Sequence, residues 1–179
     1  MKFIETPLKG AYVLEPELLE DSRGFFARTW DLNEFKALGL NPCIVQCNVS
    51  MNWKKGTLRG MHYQARPHAE VKLLRCTSGA MFDVIVDIRP GSPTFKKWFG
   101  VELTAENHRM LYIPEDFAHG FQTLTDKCEV FYQMSEFYTP AAARGFRWND
   151  PDIGIKWPME PTAIAERDAG YLIFEEHKR

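Results

Sequence analysis

The chain has 179 residues, 45% of them apolar and 26% charged, with a net charge of −2 at neutral pH. That size and balance suit one compact domain, residues 1–179, with a real hydrophobic core. They exclude bulk attraction to nucleic acid or to a membrane surface, and no run of about 18 apolar residues is present to span a bilayer. The N-terminal stretch Met1 to Pro7 lacks an apolar signal core, and Cys43, Cys47, Cys76 and Cys128 form no CxxC pair. The expectation is a cytoplasmic protein with free, buried thiols and no metal site.

Residues 3–14 predict an N-terminal strand and turn, and Asp21-Ser22-Arg23-Gly24 is a turn signal. Phe25 to Trp30 reads as an aromatic strand. Asp31 is placed to cap a helix that presents Leu32, Phe35 and Leu38 and ends at Gly39. From Ile44 to Ser50 the chain alternates, with Val45, Cys47 and Val49 on one face and Gln46, Asn48 and Ser50 on the other. This fits either an edge strand with a solvated polar face or a barrel strand whose polar face lines a pocket. Residues 71–89 predict a hairpin turning at Ser78-Gly79, with Lys72, Leu74 and Cys76 on one arm. On its other arm Phe82, Val84, Val86 and Ile88 oppose Asp83 and Asp87. Further strands are expected at Trp98 to Leu103 and Glu129 to Met134, with Leu111 to Pro114 leading into Glu115 to Phe121, and a short helix at Ala163 to Asp168. Many short strands with Gly/Pro turns predict a mainly β sandwich or barrel with a few short helices, of the kind that encloses a ligand cavity.

The stretch Gly56 to Gln64 sets Arg59 and His62 among glycines, ten residues before Lys72. With His119, Tyr132 and Asp168 it supplies what proton transfer beside a carbonyl needs. His62 is a base matched to neutral pH, and Asp168 is a carboxylate to orient it. Lys72 is a cation for the enolate oxygen, and Tyr132 is an acid for the opposite face. Arg23 and Arg59 suit a diphosphate. Taken singly, each residue also fits a surface, core or capping role. A second reading is a metal cupin, with His62, His68, Glu70 and His119 in ligand order. Against it, the first motif of that superfamily carries two histidines separated by one residue, and here Tyr63 and Gln64 follow His62. A third reading is a sugar-binding cupin without catalysis.

In several segments the chain resembles the nucleotide-sugar 3,5-epimerase family. These are Asp21 to Phe26, Gln46 to Ser50, Gly56 to Gln64, Phe82 to Arg89, Ile113 to Phe121, Trp148 to Pro151 and Ile155 to Pro158. The resemblance implies a cupin-type jelly-roll barrel without metal or other cofactor, and a homodimer that exchanges N-terminal strands. It implies a nucleotide-diphosphate 4-keto-6-deoxyhexose as substrate, inverted at C3, C5 or both. His62 would be the base paired with Asp168, and Tyr132 the acid. Lys72 and His119 would hold the substrate and its enolate. Arg23, Gln46, Asn48, Arg59, Tyr138 and Arg167 would contact the nucleotide-diphosphate sugar. The retained Tyr132 favours an epimerase over the related ketoisomerases. Pocket shape around Phe121 and Tyr138 would decide which carbons invert.

The chain departs from the family pattern at three positions of the substrate-contacting set, which also includes residues 28 and 143. Arg167 stands where Lys is usual, and Arg28 and Ala143 stand where Glu is usual. A carboxylate can accept the N–H of thymine, whereas a guanidinium bonds the acceptor that cytosine presents there. The nucleotide is therefore expected to be dTDP, with CDP as the alternative.

Overall fold

A computed structural model of the chain describes residues 1–174. The strands, in chain order, are β1 (Lys2–Glu5), β2 (Tyr12–Glu15), β3 (Leu18–Asp21), β4 (Gly24–Ala27), β5 (Gln46–Asn52), β6 (Thr57–Gln64), β7 (Lys72–Ser78) and β8 (Ala80–Asp87). They continue as β9 (Trp98–Thr104), β10 (Met110–Ile113), β11 (Phe117–Thr123), β12 (Cys128–Met134), β13 (Ala143–Gly145) and β14 (Ala163–Ile164). The two helices are α1 (Leu32–Ala37) and α2 (Glu166–Ala169). One sheet runs β1-β2-β10-β7-β12-β5 and the other β13-β6-β11-β8-β9, with β14 alongside β6 and a separate β3–β4 hairpin. This is the expected mainly β, cupin-like jelly roll.

Leu74, Cys76, Leu111, Ile113 and Val130 from the first sheet meet Met81, Ile85, Leu103, Phe117 and Phe121 from the second in one buried cluster. Each large side chain removed from water there contributes about 1.5–3 kcal/mol. Both sheets are also covered on their outer faces. Residues around Phe35 and Trp30 pack with Leu14, Leu73 and Tyr112 on the first sheet. Phe146, Ile153, Ile155 and Phe174 pack with Met61, Val84 and Val86 on the second.

This double covering corrects the hairpin expected over residues 71–89. β7 and β8 lie in different sheets, so Ser78-Gly79 is a corner and not a hairpin turn. The φ of +74° at Gly79 suits a glycine there. Phe82, Val84 and Val86 face the C-terminal segment, which turns Asp83 toward the barrel interior. In α1, Asp31 caps the helix by accepting the N–H of Asn33 (2.9 Å) and of Glu34 (3.2 Å), as expected. Its apolar face is narrower than its spacing suggested: Phe35 is buried while Leu32 and Leu38 are exposed. The helix expected at residues 163–168 is split into β14 and α2. All four cysteines are free, but only Cys76 and Cys128 are buried, and Cys43 and Cys47 are exposed. No helix among the described residues is long and apolar enough to cross a membrane.

Candidate active site

β6 and β11 pair antiparallel with His62 directly opposite His119, and their register shifts between His119 and Phe121. Glycines allow this close approach. A Cβ on Gly60 would lie 2.6 Å from the Cα of Gly120, and a Cβ on Gly120 would lie 2.8 Å from the carbonyl oxygen of Arg59. No side chain fits between backbones at that spacing. The irregularity brings Arg59, His62, His119 and Phe121 to the wall of one cavity of about 300 Å³.

Each histidine is backed by its own aspartate. The His62 Nε2–H donates to Asp168 Oδ1 at 2.8 Å, and Asp168 Oδ2 accepts the backbone N–H of Gly60 at 3.1 Å. A carboxylate only accepts, so the proton sits on Nε2 and Nδ1 is the basic atom. Burial lowers the His62 pKa from its usual value, with Lys72 and Arg167 adding to the effect and Asp168 opposing it. The ring is therefore neutral near pH 7. Burial works to raise the pKa of Asp168, but hydrogen bonds from His62, the Gly60 N–H and Arg167 bring it below the ordinary carboxylate range. The second pair, His119 Nε2 and Asp83 Oδ1, lies at 2.7 Å with Asp83 fully buried. Burial raises the Asp83 pKa, against the pull of His119 and Lys72.

Tyr132 on β12 reaches the same cavity, its ring in edge contact with His119 at 6.3 Å. Burial, reinforced by the Asp83 charge, raises its pKa well above the usual value, so the hydroxyl keeps its proton at neutral pH. Lys72 Nζ is 3.1 Å from Glu70 Oε1. Arg59 donates to Asn52 Oδ1 at 2.7 Å. Arg167 places its Nη2 3.3 Å from His62 Nε2 and its Nε 3.3 Å from Asp168 Oδ1. The cavity thus holds a neutral base, a protonated phenol and several cations, a set suited to moving protons on a carbon acid that carries negative charge.

Seven of the residues expected from sequence line this cavity: Asn48, Arg59, His62, Lys72, His119, Tyr132 and Arg167. Asp168 stands directly behind His62. A second cavity of about 310 Å³ shares His62, Lys72, Met134 and Arg167 with the first and adds Tyr138, Ala143 and Tyr171. Gln46 lines neither cavity and instead accepts the Tyr138 N–H at 2.6 Å. Arg23 and Arg28 are not brought to the site by this chain alone. Arg23 lies in the turn of the β3–β4 hairpin and Arg28 just after it; both are largely exposed and pair with Asp21 and Asp31 respectively. β5 is an edge strand, and of its polar face Asn48 and Ser50 line the cavity while Gln46 does not. The four candidate metal ligands do not come together as a set. Among the described residues no group of three or more His, Cys, Asp or Glu is arranged to hold a metal ion. Asp83 is a site residue that sequence reasoning missed. Its signal was a carboxylate opposite a continuous apolar face in a strand.

Residues 5–176 match the protein family described as dTDP-4-dehydrorhamnose 3,5-epimerase. A Shigella flexneri protein of that name is 45% identical over 169 residues, covering 94% of this chain and 93% of its own length. The solved structure of the Bacillus anthracis dTDP-4-dehydrorhamnose 3,5-epimerase, with TDP and PPi bound, superposes with a TM-score of 0.93 at 42% identity, covering 97% of this chain and 99% of its own. A Legionella pneumophila dTDP-6-deoxy-D-glucose-3,5-epimerase in complex with dTDP-4-keto-L-rhamnose superposes with a TM-score of 0.90 at 37% identity, covering 96% and 92%.

Proposed function

The chain belongs to the dTDP-4-dehydrorhamnose 3,5-epimerase family, and from that premise we propose that it inverts C3 and C5 of a dTDP-linked 4-keto-6-deoxyhexose without a cofactor. The observation that carries this reading is the convergence of His62–Asp168, His119–Asp83, Lys72 and Tyr132 on one cavity. His62 Nδ1 removes the proton on the carbon beside the C4 ketone. The electron pair moves onto the C4 oxygen as an enolate, which Lys72 stabilises by its charge and His119 by hydrogen bonding. Asp168 balances the imidazolium that His62 becomes. Tyr132 returns a proton to the opposite face of the same carbon, so its configuration inverts; once His62 has released its proton to water and Tyr132 has taken one up, the two steps repeat at the second carbon. Arg59, Asn48 and Arg167 hold the diphosphate, and Tyr138 bounds the nucleoside end. Proton NMR of the dTDP-4-keto-6-deoxyglucose substrate in D₂O tests the reading. Deuterium should enter C3 and C5 in step with formation of the inverted sugar, and no exchange at either carbon refutes it.

The same site is read as complete only in a homodimer. The β3–β4 hairpin pairs with no other strand among the described residues, exposes Phe25 and Phe26, and carries Arg23 and Arg28 at its ends. β5 offers an open edge, exposes Val49 and supplies Asn48. A lone hairpin is marginal in water and an open edge invites pairing. The hairpin of a second copy laid along β5 brings the two arginines beside Gln46 and Asn48. Mixing inactive Arg23→Ala and His62→Ala chains should restore activity through mixed dimers with one intact site. Absence of restoration, with dimers present, counts against the sharing.

A CDP-linked sugar is the second reading. It is favoured by Ala143, which brings no carboxylate to its part of the second cavity, where the other carboxylate, Glu70, is paired with Lys72. Calorimetry with dTDP and CDP decides between them, and tighter binding of dTDP removes the CDP reading.

A further inference from the structure

Lys72 is one of the residues that line both cavities. Its ammonium is nearly buried, with 11% of the side chain exposed, and so is its partner Glu70, at 7%. The pair is joined at 3.1 Å through Glu70 Oε1. Glu70 Oε2 accepts a hydrogen bond from Gln64 Nε2 at 3.2 Å. The same Gln64 nitrogen lies 3.2 Å from the carbonyl of Phe137, and Gln64 Oε1 accepts the Thr139 N–H at 2.7 Å. Between these two anchored residues sits Tyr138, which lines the second cavity. A continuous set of polar contacts therefore runs from the lysine beside the reacting carbons, through Glu70 and Gln64, to the loop at the far cavity.

Asp83 gives this set a directional consequence. It is a second buried carboxylate close enough to feel the Lys72 charge, and among the described residues its Oδ2 has no hydrogen-bond partner. Glu70 and Asp83 thus compete for one ammonium, and the ion pair shows that Glu70 holds it. With the Glu70 charge removed, the Lys72 ammonium would lose the partner that holds it at 3.1 Å, leaving Asp83 as the nearby charge to draw it.

We infer that Glu70 is a positioning residue for the epimerisation, one that holds Lys72 where the enolate oxygen forms and links it to the 137–139 loop. The inference rests on the epimerase reading above. A double-mutant cycle on the full chain tests it, using Glu70→Gln, Lys72→Ala and the double variant, with deuterium wash-in and steady-state kinetics as readouts. A displaced cation costs turnover more than binding. Glu70→Gln should therefore lower kcat by roughly tenfold to a hundredfold while KM moves by less than about threefold. In the Lys72→Ala background the same change should have almost no further effect. Glu70→Asp, which keeps the charge, should recover part of kcat. A purely structural Glu70 would lower the melting temperature and leave the cycle additive. Additive losses, or an unchanged kcat in Glu70→Gln, overturn the inference. Normal wild-type exchange in the same experiment shows that the epimerase reading survives that failure, whereas no wild-type exchange overturns both.

Discussion

Replacing Asp168 by Asn changes one atom and should nearly silence the base. In the native site Asp168 Oδ2 accepts the buried Gly60 N–H at 3.1 Å while Oδ1 accepts from His62 at 2.8 Å. An asparagine has only one oxygen for these two donors. If the oxygen stays with Gly60, the amide NH₂ faces His62 Nε2 and forces the ring proton onto Nδ1, the atom that must be free. If the oxygen turns to His62, the Gly60 N–H is buried against an NH₂ and left unsatisfied, at a cost of about 1–3 kcal/mol. At about 1.4 kcal/mol per factor of ten, the competent tautomer falls to roughly a tenth to a hundredth of the population. Loss of the carboxylate charge removes roughly another 1 kcal/mol from the imidazolium formed on proton abstraction, since hydrogen bonds to charged groups are about twice as strong as neutral ones. Together these predict a rate lower by about 10²–10³-fold. Deuterium wash-in at C3 and C5 by NMR measures it, with the melting temperature as a check on folding. A folded Asp168→Asn variant exchanging within about threefold of wild type would refute the tautomer argument.

Three further outcomes follow from the same geometry. Tyr132→Phe should leave measurable proton abstraction but block inversion at the carbon it serves, so deuterium appears without the inverted product; loss of both together would assign Tyr132 a different role. Burial, with help from Lys72 and Arg167, lowers the His62 pKa, and the base works only when neutral. The acid limb of kcat/KM should therefore have its midpoint below pH 6.5, and a midpoint at or above neutrality contradicts it. Gly120→Ala would set a methyl 2.8 Å from the Arg59 carbonyl and 2.7 Å from the Met61 sulfur. It should destabilise the fold by about 2–4 kcal/mol in denaturant titration, and it should also lower activity in the protein that folds, because both histidines flank the contact.

Much of the site was legible because strands space their side chains regularly. His62, Lys72, His119 and Tyr132 each sit in a segment with a clear β pattern, and chemistry alone suggested that they belong together. Asp168 was suggested by the chemistry of a base that needs an orienting carboxylate, but not by spacing, since 106 residues separate it from His62 and its helix has four residues. Alternation failed where both faces of a strand are covered. β8 buries Met81 and Ile85 on one side and Val84 and Val86 on the other, so its sequence could not say which side faces the barrel, nor that Asp83 lies within. The same double burial made β7 and β8 look like one hairpin. Arg23 and Arg28 show a different limit. Their placement depends on what the hairpin meets, and a single chain does not contain that information.

The short parallel pairing of β14 with β6 has a bearing on how the chain can be handled. It threads residues 163 and 164 beside Thr57 and Leu58, and residue 164 lies four residues before Asp168, the carboxylate bonded to His62. A chain cut at residue 160 would keep both histidines, Lys72 and Tyr132, yet it would lack Asp168 and the strand that delivers it. Proteolytic trimming at this end, or a fusion that displaces the terminal segment, would abolish activity while sparing most of the two sheets. For engineering purposes, partners and tags are better attached away from this end.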